Sequence, residues 1–103
     1  MSVILEFAMF PTGKGESVSA EVSKIIKFID QSGYPYQLTP MATIIETDTF
    51  PEALKLVEQA YEQIESDTER VYSVMKFDIR KGKLGRMKQK IQSIESKIGS
   101  VRT

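Results

Sequence analysis

The stretch "SGYPYQLTPMATIIET", residues 32–47, decides the fold. It opens as a helix stop at Ser32-Gly33 and ends on the β-branched run Thr43-Ile44-Ile45. Proline has no amide hydrogen to give a central strand, so the stretch divides into two short strands, "YPYQLT" and "TIIET", with Pro40 and Met41 at their connection. An uncharged run from Gln37 to Thr43, bearing amide and hydroxyl groups, lies where a small domain would normally place apolar residues. That run marks the stretch as a candidate for function as well as for folding.

Working outward, "VILEFAMF" (3–10) alternates as a strand, with Val3, Leu5, Phe7 and Met9 on one face and Ile4, Glu6, Ala8 and Phe10 on the other. "PTGKGES" is a loop, after which Ser17 or Ser19 is placed to cap a helix. The apolar positions Val18, Val22, Ile25, Ile26 and Ile29 follow the helical repeat, and Gly33 is placed to end it. Beyond the hairpin, Thr49-Phe50-Pro51-Glu52 matches a capping box that starts a second helix, whose apolar face is Ala53, Leu56, Val57, Ala60 and Ile64. The polar run "ESDTE" closes that helix, and residues 71–79 alternate as a fourth strand. After the basic turn "RKGKLGR", the stripe Met87, Ile91, Ile94 and Ile98 predicts a third helix ending at Gly99.

The order is β-α-β-β-α-β plus one helix. It predicts an α+β, ferredoxin-like domain spanning residues 1–103, with two helices on one face of a four-stranded antiparallel sheet and an extra C-terminal helix. Two helices leave the other face bare, and that face with the narrow third-helix stripe asks for a partner, most simply a second copy of the chain.

Composition narrows the function. Fourteen basic and fourteen acidic side chains balance, so no global charge draws the chain to nucleic acid or an anionic membrane. The sequence contains no Cys and no His, which removes disulfides, the common transition-metal ligands and the usual nucleophile and base pairs. No metal site and no cofactor are expected. The first apolar run carries Glu6 and no cleavage pattern, so it reads as a strand and not a signal peptide. No stretch approaches the length of a membrane span, and a cytoplasmic location is the default expectation.

Strands one and three are central in this topology. If Val3, Leu5, Phe7 and Met9 face the helices, Glu6 and Ala8 face away; if Ile45 packs inward, Glu46 faces away; and Gln37, Thr39, Tyr72, Lys76 and Asp78 are candidates on the outer strands. These side chains form either a solvated face with ordinary charge pairs or a polar binding patch. A carboxylate in mid-strand disfavours the strand and, if covered, needs a partner, which points to a ligand that donates hydrogen bonds or carries positive charge. Central carboxylates also speak against an RNA-binding domain of the same topology, which stacks bases on central aromatics amid positive charge.

"RKGKLGRMKQK" (80–90) is either a solvated basic face or an anion site using Arg80, Lys83 and Arg86 with the backbone of Gly82 and Gly85. "GKGES" lacks the spacing of a phosphate-binding P-loop. Tyr34 and Tyr36 about Pro35 either cover a flat ligand or pack against the core, and Met41 is a gap-filler in an interface.

The segments "EFAMFPTGKGESVS", "SGYPYQLTPMATIIET" and "VYSVMKFDIRKGKLGRM", which together span most of the chain, resemble the thiamine-binding protein family. The family pattern falls on Glu6 and Phe7, on Ser17 and Ser19, on Gln37 through Met41 with Thr43 and Glu46, and on Lys76 with Arg80 and Gly82. Ala42 and Thr47 stand where the family form has glycine. The resemblance implies a homo-oligomer, commonly a tetramer of sheet-paired dimers, that binds thiamine or its hydroxymethylpyrimidine part without catalysis.

The expected ligand-binding set is Glu6, Ser17, Ser19, Gln37, Thr39, Thr43, Glu46 and Lys76. The amide and hydroxyl groups would read the pyrimidine edge, and Glu6 or Glu46 would balance the thiazolium charge. The expected site lies at or near a subunit interface made by the open sheet faces. The competing readings are an oligomerisation module with no small ligand and an enzyme using Glu6 and Glu46 as an acid–base pair.

Overall fold

A computed structural model of the chain describes residues 1–13, 18–82 and 85–103. Its elements run β1 (Ser2–Pro11), α1 (Ser19–Ser32), β2 (Tyr36–Leu38), β3 (Thr43–Thr47), α2 (Phe50–Glu62), a 3-10 turn (Glu65–Asp67), β4 (Val71–Arg80) and α3 (Arg86–Ile98). The strands form one antiparallel sheet in the order β2-β3-β1-β4, the ferredoxin-like arrangement, with β1 and β3 in the middle.

Local chemistry explains the boundaries. Gly33 ends α1 in the left-handed conformation, φ 84°, which costs glycine nothing because it has no Cβ. Ser19 is the first residue of α1, not its cap; Val18 holds the cap position. Thr49 caps α2 by accepting the Glu52 N–H. The Glu52 carboxylate does not complete the expected box on the Thr49 backbone. It accepts the Thr49 hydroxyl at 2.8 Å and the Tyr34 hydroxyl at 2.7 Å, tying the helix start to the segment after α1.

The helix-covered side of the sheet carries the core: Leu5, Phe7 and Met9 of β1 and Ile45 of β3 pack against Ile25 and Ile29 of α1 and against Leu56, Ala60 and Ile64 in and after α2. Tyr34 and Tyr36 pack against this cluster too, with the Tyr36 hydroxyl on Asp30 at 2.7 Å, so both rings serve packing. Phe50 meets Phe77 edge-on at 5.0 Å and carries the core out to β4.

The register sorts the other side. Ser2 pairs with Arg80, Ile4 with Asp78 and Glu46, Glu6 with Lys76 and Ile44, Ala8 with Val74, Phe10 with Tyr72, and Gln37 with Ile44. These residues alternate with the core positions and therefore look away from α1 and α2. Helix α3 stands over the Ser2–Arg80 end of this second face, while its apolar stripe runs out to Ile94 and to Ile98, which is 72% exposed.

Candidate functional site

The sheet divides the predicted site residues between two faces. Glu6, Gln37, Glu46 and Lys76 look toward α3, by register. Thr43 is paired with Phe7 and Leu38 and looks toward α1. Thr39 belongs to the turn between β2 and β3, and Ser19 to the first turn of α1. Ser17 lies outside the described residues. The run Gln37 to Thr43 therefore does not line one patch, because alternation sends Gln37 to one side and Thr43 to the other.

On the α3 side, Glu46 is buried to 5% exposure and both of its carboxylate oxygens accept hydrogen bonds from the protein. Its Oε2 accepts the Ser2 hydroxyl at 2.6 Å and the Arg86 backbone N–H at 3.0 Å, and its Oε1 accepts the Met87 N–H at 3.2 Å. A carboxylate at a helix start satisfies donors that no intrahelical carbonyl can reach and complements the positive end of the helix. Burial by itself raises the Glu46 pKa; the hydrogen bonds from Ser2 and from the backbones of Arg86, Met87 and Gly85 outweigh it and leave the carboxyl below its ordinary value.

Arg86 fastens the same helix start to the sheet. Its Nε donates to Ser2 Oγ at 3.1 Å, Nη1 to Asp78 Oδ2 at 2.8 Å, and Nη2 to the carbonyls of Ser2 at 2.9 Å and Asp78 at 2.7 Å. Glu46 is thus the side-chain cap of α3, and the Arg86 guanidinium is largely committed to Ser2 and Asp78. The backbone N–H groups at the start of α3, which the anion-site alternative would use, already donate to a carboxylate, and Lys83 lies outside the described residues. Glu6, by contrast, is half-exposed and sits 3.7 Å from Lys76, an ordinary cross-strand ion pair.

Between α3 and the sheet runs a cleft of about 510 Å³, lined by residues of all four strands and of α3, Gln37 among them. On the opposite side lies a smaller recess of about 190 Å³, between the start of α1 and the turn joining β2 to β3. Phe7, Met9, Val18, Val22, Thr39 and Thr43 are among its walls.

The two threonines of the recess differ. The Thr39 hydroxyl is committed to the turn: it donates to the Ala42 carbonyl at 2.6 Å and accepts the N–H groups of Ala42 and Met41 at 3.1 and 3.3 Å. Thr43 is 5% exposed, and among the described residues its hydroxyl has no hydrogen-bond partner. No fully buried side-chain polar atom lacks a partner among the described residues, so the Thr43 hydroxyl opens into the recess, where its donor and acceptor can bond what enters. Sequence reasoning picked out Thr43 and weighed Arg86 only for an anion site; it missed Ser2 and the hold that Arg86 makes on it, which exists only because α3 folds back over β1.

No helix among the described residues is long and apolar enough to cross a membrane. Among the described residues, no group of three or more carboxylates is arranged to hold a metal ion.

Comparison with known proteins places these features in context. A family model described as "Thiamine-binding protein" matches residues 5–95. A UPF0045 protein of Mycobacterium bovis is 38% identical over 95 residues, which cover 92% of this chain and 93% of that one. A protein of Methanocaldococcus jannaschii has a solved structure that superposes with a TM-score of 0.78 at 33% identity, covering 90% of this chain and 95% of its own. A Thermotoga maritima structure, provisionally assigned to thiamine biosynthesis/salvage, has a TM-score of 0.78 at 18% identity, covering 91% and 99%, and shares the fold.

Proposed function

Because this chain belongs to the thiamine-binding protein family, we propose that it binds thiamine, or the hydroxymethylpyrimidine part of it, as a homo-oligomer and without catalysis. The pyrimidine ring occupies the recess between the start of α1 and the turn joining β2 to β3. The observation that carries this reading is the hydroxyl of the nearly buried Thr43, which has no hydrogen-bond partner among the described residues and opens into a recess whose other walls are apolar apart from Thr39.

Size and charge favour this recess over the larger cleft. At about 190 Å³ the recess is smaller than the roughly 300–1,000 Å³ of pockets that engulf a whole drug-sized ligand, and it suits one ring. Its walls carry no charged side chain, which suits a neutral aminopyrimidine that needs hydrogen bonds along one edge and apolar contact on its faces. The lining of the cleft holds Arg80, Arg86 and Lys90 against Asp78 alone, a positive surplus that repels a thiazolium.

The remaining members of the expected set divide by position. Ser19 and Ser17 adjoin Val18, a wall residue, in the chain, and are the next candidates to touch the ligand. Glu6, Gln37, Glu46 and Lys76 belong to the other face, where they bear on α3 and on subunit contact. Met41, 87% exposed, and Leu38 form an apolar rim to the recess. A second copy seated on that rim would close the site around the thiazole half, in keeping with binding at a subunit interface.

Calorimetry with thiamine, hydroxymethylpyrimidine and the isolated thiazole tests the reading. Both pyrimidine-bearing compounds bind and the thiazole alone does not. Absence of heat from either pyrimidine at millimolar concentration overturns the proposal.

A further inference from the structure

The cleft beneath α3 lies across the thickness of the sheet from the recess. We infer that it binds a phosphomonoester carrying a flat heteroaromatic ring, with the phosphate between Arg80 and Lys90 and the ring held between the sheet and α3.

The charges support the phosphate. Four charged side chains line the cleft, Asp78, Arg80, Arg86 and Lys90. Asp78 and Arg86 neutralise each other at 2.8 Å, and three further N–H groups of Arg86 are spent on Ser2 and on the Asp78 carbonyl. Arg80 and Lys90 have no ion-pair or hydrogen-bond partner among the described residues. One projects from the end of β4 and the other from the second turn of α3, so two elements present uncompensated cations to one space. A guanidinium and an ammonium so placed match a phosphate dianion, the first by its planar fork and the second as a point charge. The fixed anion nearest the start of α3, Glu46, has its oxygens turned to Ser2 and the helix backbone, so it does not quench these cations by contact.

The walls support the ring. Ile4 and Ile44 rise from the sheet, and Met87 and Ile91 descend from α3, giving apolar surface above and below a slot. Gln37 and Gln89 line it with amides that have no hydrogen-bond partner among the described residues, each able to donate and accept along a ring edge. A volume of about 510 Å³ accommodates a ring, a sugar-sized spacer and a phosphate. Bare inorganic phosphate would leave the amides and the apolar walls unused.

Calorimetry on the full chain with adenosine 5′-monophosphate, adenosine, ribose 5-phosphate and inorganic phosphate tests this without reference to thiamine. The monophosphate nucleoside binds at least about tenfold tighter than each of the other three. Combined Arg80→Gln and Lys90→Gln, both at exposed positions, weakens it by about tenfold or more and flattens its salt dependence, while Lys88→Gln, an α3 lysine outside the lining, leaves it unchanged. Three results overturn the inference: adenosine binding as tightly as its monophosphate, no heat from the monophosphate at millimolar concentration, or equal loss in the Lys88 variant. Hydroxymethylpyrimidine binding by the doubly substituted chain is retained if the recess reading holds, so the two proposals fail separately.

Discussion

The Glu46 carboxylate holds the start of α3 from 40 residues away, its Oε2 accepting the Arg86 backbone N–H at 3.0 Å. A capping side chain normally sits beside the helix it caps; here it comes from a central strand, so the cap and the docking of the helix on the sheet are one interaction. Glu46→Gln keeps the shape but turns an amide N–H₂ toward backbone donors, and about 1–3 kcal/mol of stability is lost at neutral pH. The dependence on pH has a definite sign. The folded-state pKa of Glu46 is lowered, so its contribution is complete above the ordinary carboxylate value of 4.5 and is lost as pH falls through the lower folded value. Denaturant unfolding of both proteins across the acid range therefore shows a gap that closes below that value, and a gap that widens on acidification contradicts the assignment.

Arg86 makes the complementary hold through four side-chain donations to Ser2 and Asp78. Lysine preserves the charge but not the fork, so Arg86→Lys cannot reach both residues at once. Hydrogen exchange at residues 86–98 accelerates by about tenfold or more while exchange in β1 and β3 stays as in the parent, because α3 opens as a unit over an intact sheet. Uniform acceleration through the sheet would mean that α3 is integral to the core.

The elements were legible because each carries its own local signal. Alternation in β1 and β4, the helical repeats of α1 and α2, and Gly33 at a helix end each act over a few residues, and together they imply the strand order that register confirms. The site was only partly legible. Parity correctly sent Glu6 and Glu46 to the same face, but no local rule tells whether a buried carboxylate meets a ligand or a helix end. That depended on where α3 docks, which is set by Ser2, Arg86 and Asp78 from opposite ends of the chain. Thr43 differs from Thr39 for a similar reason: four residues apart in sequence, one hydroxyl is consumed by a turn and the other faces a recess.

Gly33 offers a test of backbone strain free of packing. An added Cβ would meet nothing within 4 Å, so Gly33→Ala changes only the cost of holding φ at 84°. That cost is about 1–2 kcal/mol, since an L-residue in the left-handed region brings its Cβ against the following carbonyl. Chemical denaturation shows this loss with an unchanged denaturant slope, and Gly33→Asn recovers part of it because asparagine tolerates the conformation.

The open face and the outer end of α3 bear on assembly. Phe10, Tyr72, Val74, Ile94 and Ile98 are exposed, and the rings of the first two meet as a tilted pair at 5.7 Å on the face away from α1 and α2. In the proposed homo-oligomer Ile94→Glu with Ile98→Glu lowers the mass seen by light scattering, because two buried charges would each require desolvation. A parent chain that is already monomeric would remove this part of the proposal. Assembly alone does not separate a ligand-binding oligomer from a purely structural one; a rise in melting temperature with thiamine does, since only a ligand that binds the folded state shifts it.

Thr43→Val is the sharpest probe of the recess. Valine reproduces the shape of threonine without its hydroxyl, and because that hydroxyl has no hydrogen-bond partner among the described residues, the substitution removes no internal bond. Stability stays within about 0.5 kcal/mol of the parent or rises slightly, as expected when an unused polar atom leaves an apolar wall. Affinity for hydroxymethylpyrimidine falls by about tenfold, the worth of one hydrogen bond made in an enclosed site, and Thr43→Ser retains most of it. The paired measurement matters because the two outcomes move independently. Lost affinity with retained stability identifies Thr43 as a ligand contact, whereas affinity equal to that of the parent would mean that the pyrimidine is recognised elsewhere.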